Sequence, residues 1–160
     1  MRPWLHSIIA AVTACSVGTA AGEPEDPLCK PLTQFASSVQ PEQSRELEFH
    51  TIWFGSFKDS PDDRALYQKR CIHHGDPSAK AVCAYLMENS SVEFADHNLK
   101  RALECLSPGT RLGAQVKVDH GDFAFRLGDA ERGNRVRLTF GVDGEIGGQV
   151  LRVTVRGVAP

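Results

Sequence analysis

The sequence predicts an α+β domain stapled by disulfides, in which an antiparallel sheet packs helices on one face. Three observations predict it. Apolar positions recur with helical spacing in the middle of the chain, and they alternate with period two before it and from residue 112 onward. Between them lie Cys29, Cys71, Cys83 and Cys105, an even set in a chain of 160 residues. The expected order is one strand, a three-helix segment and a C-terminal meander.

The N-terminus reads as an export signal. Arg2 precedes an apolar run that begins at Leu5 and fades by Val17, and Thr13, Ser16 and Gly18 interrupt it. A bilayer-spanning helix needs about 20 predominantly apolar residues, so this is a signal peptide over residues 1–21. Gly18-Thr19-Ala20-Ala21 offers small residues for cleavage after Ala21. A competing cut lies before Cys15, because Val12-Thr13-Ala14-Cys15 has lipobox spacing. Acyl chains on Cys15 would then hold the protein at a membrane surface. Residues 22–28, with Pro24 and Pro27 among acids, read as a flexible linker, which leaves residues 29–160 as one domain. The expected location is periplasmic or secreted, membrane-held if Cys15 is lipidated.

Four cysteines in an exported chain form a disulfide framework, with three possible pairings. Ser60, Pro61, Asp62 and Asp63 have the residue types of a helix start, and Gly75 those of a stop, predicting a helix over residues 60–74. Asp76-Pro77 begins another, whose Ala79, Val82, Cys83, Leu86 and Met87 share one face. This helical hairpin brings Cys71 toward Cys83 and leaves Cys29 for Cys105. Zinc is the competing reading: Cys71, His73, His74 and Cys83 carry suitable donors, with His97 and Cys105 nearby in sequence. No Cys-x-x-Cys knuckle is present, and thiols pair first in an oxidising compartment, so no metal or other cofactor is assigned.

The remaining elements follow from periodicity. Residues 28–39 suit a few helical turns, ended by Pro41. Over residues 45–54, Leu47, Phe49, Thr51 and Trp53 alternate with Glu46, Glu48 and His50, a half-buried strand. Ser90 and Glu93 have capping-box spacing for a helix carrying the stripe Ala95, Leu99, Ala102, Leu103 and Leu106. Strands are then expected around Val116 and Val118, Phe123 to Leu127, Val136 to Val142 and Leu151 to Val155.

Composition narrows the function. Lys plus Arg number 18 against 20 for Asp plus Glu, a net charge of −2, and aromatics are 8%. Neither suits a nucleic-acid partner. No Gly-x-Ser-x-Gly elbow or phosphate-binding loop is present, and the glycines of residues 141–148 fall where a hairpin turn is expected. The outer side of the predicted sheet carries Lys117, Arg126, Arg135, Arg137, Arg152 and Arg156, a set suited to carboxylate or phosphate. The sequence therefore predicts a non-catalytic binding module for a protein or an anionic envelope component, a class that includes inhibitors and immunity proteins. The alternative is a small enzyme or metal carrier using His73, His74, His97 or His120 with cysteine ligands.

Overall fold

A computed structural model describes residues 26–60, 65–128 and 133–159. The expected signal peptide, Cys15 and both expected cleavage sites lie outside the described residues. The elements run α1 (Cys29–Ser37), β1 (Ser44–Trp53), β2 (Tyr67–Ile72), α2 (Pro77–Asn89), α3 (Asp96–Leu106), β3 (Gly121–Leu127), β4 (Asn134–Val142) and β5 (Gln149–Arg156). The strands form one antiparallel sheet in the order β2-β1-β5-β4-β3. The α+β class, the helix-covered sheet and both disulfides, Cys29–Cys105 and Cys71–Cys83, are as the sequence predicts.

Alternation decides which face is buried. Phe123, Leu138, Val153 and Leu47 lie opposite one another across four strands, as do Phe140, Leu151, Phe49 and Cys71. Against these rows pack Leu32 and Phe35 of α1, Val82 and Leu86 of α2, and Leu99, Ala102 and Leu106 of α3. Irregular contacts fix the helices to one another and to the sheet. Asp76 caps α2 by accepting from the Ala79 amide at 2.8 Å, while Arg45 of β1 pairs with the same carboxylate. Asp26 forms a two-pronged ion pair with Arg101 of α3 at 2.5 and 2.8 Å. Leu28 is fully buried, so the end of the segment expected to be a linker is docked on the domain.

Three elements differ from expectation. Residues 67–72 are a strand, not the second half of a helix: β2 pairs with β1 from Glu48↔Ile72 to Trp53↔Tyr67, and the Phe54 amide bonds the Leu66 carbonyl at the turn. Tertiary pairing outweighs the local helix-start signal. The Cys71–Cys83 link therefore joins a strand to a helix: Cys71 faces the helical layer, and the Cα atoms are 5.5 Å apart. The third helix begins at Asp96, with Ser90 ending α2 instead of capping α3. Asn98 bridges the Ser91 amide and carbonyl, and Ser91 Oγ accepts from the Phe94 amide, which holds a turn where the capping box was expected. Val116 and Val118 are not in a strand. Their backbone is satisfied by α3, through Lys100 Nζ on the Val116 carbonyl and Asp96 on the Val118 amide, so no ladder is needed.

The hairpin turn between β4 and β5 is built as the glycines suggest. Gly148 has φ +78°, and a Cβ there would sit 2.4 Å from the Thr51 carbonyl oxygen, so any side chain collides with β1.

The two disulfides close loops of different size, with sequence separations of 76 and 12. Loop-closure entropy gives about 4.5 kcal/mol for Cys29–Cys105 and about 3 kcal/mol for Cys71–Cys83. Replacing the first pair by alanine is expected to lower the guanidinium unfolding midpoint further than replacing the second. Equal midpoints would show that the chain-entropy ranking does not govern this domain.

Candidate functional site: the polar face of the sheet

The face away from the helices is organised in cross-strand rows. The first places Arg126, Arg135 and Arg156 directly opposite one another across β3, β4 and β5. In the second, Arg137 stands opposite Thr154, which stands opposite Glu46. The third runs Asp122, Thr139, Arg152, Glu48. Strand period alone puts these side chains on one face; the register sets their neighbours.

The second and third rows are internally neutralised. Arg137 holds Asp122 through Nε and Nη2 at 2.9 and 2.6 Å, and Arg152 Nε bonds Glu48 at 3.0 Å and lies 3.7 Å from Glu46. Thr154 donates to Glu46 at 2.7 Å. The Arg137 guanidinium holds the Asp122 carboxyl below the usual range. For Glu48, partial burial pushes the carboxyl up, but hydrogen bonds from Arg152 and His50, with their charges, outweigh it and hold it low.

His50 is the residue that the sequence reading did not single out. It is completely buried beneath the Phe57 ring on this otherwise polar face, and its Nε2 lies 2.9 Å from Glu48 Oε2. Residues 54–60 fold over it: Arg70 stacks on the outer side of Phe57 at 4.6 Å and is clamped by Asp59 at 2.7 and 2.8 Å. This covers His50 at one end of the face and leaves the other end open.

The open end is a groove of about 510 Å³ lined by Glu46, Arg135, Arg137, Thr139, Arg152, Thr154 and Arg156. A neighbouring groove of about 550 Å³ shares Glu46 and Thr154 and extends toward His73 and His74. A larger cleft, about 630 Å³, opens elsewhere between Trp53, Phe94 and Val142. Its charged lining, Glu93, Asp96, Lys117 and Asp119, is of mixed sign, so it lacks the one-signed field of the arginine row.

Of the six expected binding cations, five gather on this face: Arg126, Arg135, Arg137, Arg152 and Arg156. Lys117 does not, because residues 112–118 form no strand; it stands exposed on a loop, 3.7 Å from Asp119. His73 and His74 do not end a helix, since β2 replaces it; they lie just before the N-terminus of α2. His97 is exposed and stacked on Phe94 at 5.6 Å. His120 is exposed beside Gly141, where a Cβ would come within 3.1 Å of its Nδ1. All four domain cysteines are in disulfides, and no three His, Cys, Asp or Glu side chains gather at metal-binding distance among the described residues. Comparison with protein-family models, with characterised proteins and with solved structures finds no match to this chain.

Glu48 supports a buried imidazole, so Glu48→Ala leaves His50 Nε2 without its partner and is expected to cost about 1–3 kcal/mol. The folded-state pKa of Glu48 lies below its ordinary 4.5, so its contribution is complete above that value and fades as pH falls through and below it. Chemical unfolding at neutral pH and below 4.5 checks both points: the deficit of the variant should shrink in acid.

Proposed function

We propose that this protein is an exported, non-catalytic binding module that captures an acidic protein surface or an anionic envelope component on the arginine face of its sheet. The observation that carries the reading is the groove lined by Arg135, Arg137, Arg152 and Arg156, in which Arg135 stands directly opposite Arg156 in the strand register. Like charges facing across strands destabilise a sheet by a few tenths to about 1 kcal/mol per pair. A bound carboxylate, phosphate or sulfate relieves that cost, and each planar fork matches such groups in two-pronged fashion. The groove beside the row gives room for an extended anionic segment.

Export is supported by the N-terminal leader pattern and by two disulfides, which persist in oxidising compartments. Among the described residues no helix is long and apolar enough to cross a membrane. The reading of Cys15 as a lipid attachment point belongs to this proposal and would place the arginine face at a membrane surface.

The test is Arg135→Glu combined with Arg156→Glu. These two positions are chosen because Arg137 and Arg152 hold Asp122 and Glu48 and would confound stability with binding. The variant is expected to unfold at the same midpoint as the parent or a slightly higher one. It should elute from a heparin column at clearly lower salt and lose capture of its partner from an envelope extract. Unchanged elution and capture would sink the proposal.

A further inference from the structure

β3 and β2 are the two edges of the sheet, and they differ in what they offer a second strand. β3 runs seven residues from Gly121 to Leu127, carries no proline, and has no backbone partner on its outer side among the described residues. Its helix-side residues Phe123, Phe125 and Leu127 are only partly buried. An open, half-apolar edge of this kind is a template for strand addition, and natural proteins block such edges with charge, proline or bulges. The charges that β3 carries do not block it against itself.

We propose that β3 is the contact strand of a symmetric dimer of this chain. Antiparallel pairing of two identical strands has its two-fold axis perpendicular to the sheet and passing through one residue position. For β3 the position that overlaps all seven residues is Ala124, the centre of the strand and its smallest side chain after Gly121. In that register Asp122 of one copy stands opposite Arg126 of the other, twice by symmetry, and Phe123 stands opposite Phe125. The charged pairs are opposite in sign, and the phenyl rings gain cover on the helical side.

The same register extends the arginine row with an acid. Arg126, Arg135 and Arg156 of one copy would continue into Asp122 of the other, so the row ends on an opposite charge across the dimer seam. Asp122 keeps its own Arg137, since a carboxylate accepts several hydrogen bonds. β2 has no comparable register: centring it on Lys69 or Arg70 sets a cation against its own copy. Pairing through β3 would join the arginine faces of two copies into one surface. The dimer does not depend on what that face binds.

The test is a charge exchange on the oxidised protein, read by sedimentation velocity over a concentration series. The parent should dimerise as concentration rises, and its β3 amides should exchange with deuterium more slowly in the dimer. Asp122→Arg alone, and Arg126→Asp alone, put like charges opposite each other and should weaken self-association by roughly tenfold or more. An equimolar mixture of the two variants restores both opposite-charge pairs, and so does the double variant; both should recover the parental dimer. Recovery in the mixture also shows that both variants fold. A parent that stays monomeric at every concentration, single variants as dimeric as the parent, or a mixture that fails to recover would each overturn the proposal.

Discussion

β1 lies against β5, the last strand of the domain, and pairs with it from Ser44↔Arg156 to Thr51↔Gln149. This contact joins the N-terminal hairpin to the C-terminal meander and makes one sheet of five strands from two pieces. It puts Leu47 beside Val153 and Phe49 beside Leu151 under the helices. On the opposite face it puts Glu48 beside Arg152 and Glu46 beside Thr154, residues more than a hundred positions apart in the chain. A slip of one residue would turn Leu47 and Phe49 outward and bring Glu46, Glu48 and His50 under the helices, so burial specifies the register strongly.

The disulfides act at a different level. Cys29–Cys105 closes the larger loop, with a sequence separation of 76, and clamps α1 to α3, where the Asp26–Arg101 pair adds a second tie. Cys71–Cys83 anchors the edge strand β2 to α2. β2 is the least buried strand, with no residue fully covered, so a covalent link supplies what packing there does not.

The polar face shows how charge is distributed by register. Where β1 supplies acids, Arg152 is neutralised; where β3 supplies Asp122, Arg137 is neutralised. At the end where Ser44 stands opposite Arg156, β1 has no acid to offer, and Arg156 faces Arg135 on its other side. The face is therefore not evenly basic. One end is a covered imidazole linked through Glu48 to the half-exposed Arg152, and the other is an open cluster of cations beside a groove.

Period-two and helical alternation, together with cysteine parity, were enough to read the α+β class, the helix-facing residues of β1, β4 and β5, the stripe of α3 and the arginines of the outer face. These depend on which side of an element a residue occupies, and neighbours in sequence decide that. The strand at residues 67–72 was not legible, because its hydrogen-bond partner is β1 and a local helix-start signal precedes it. The irregular path of Val116 and Val118 was hidden for a related reason: Asp96 and Lys100, on another element, satisfy their backbone. His50 shows the same division. Alternation placed it on the outer face, but only residues 54–60 folding back over that face make it buried. Side-chain direction is a property of the chain itself, whereas register, pairing and cover are set by segments distant in sequence, and those only the folded molecule brings together.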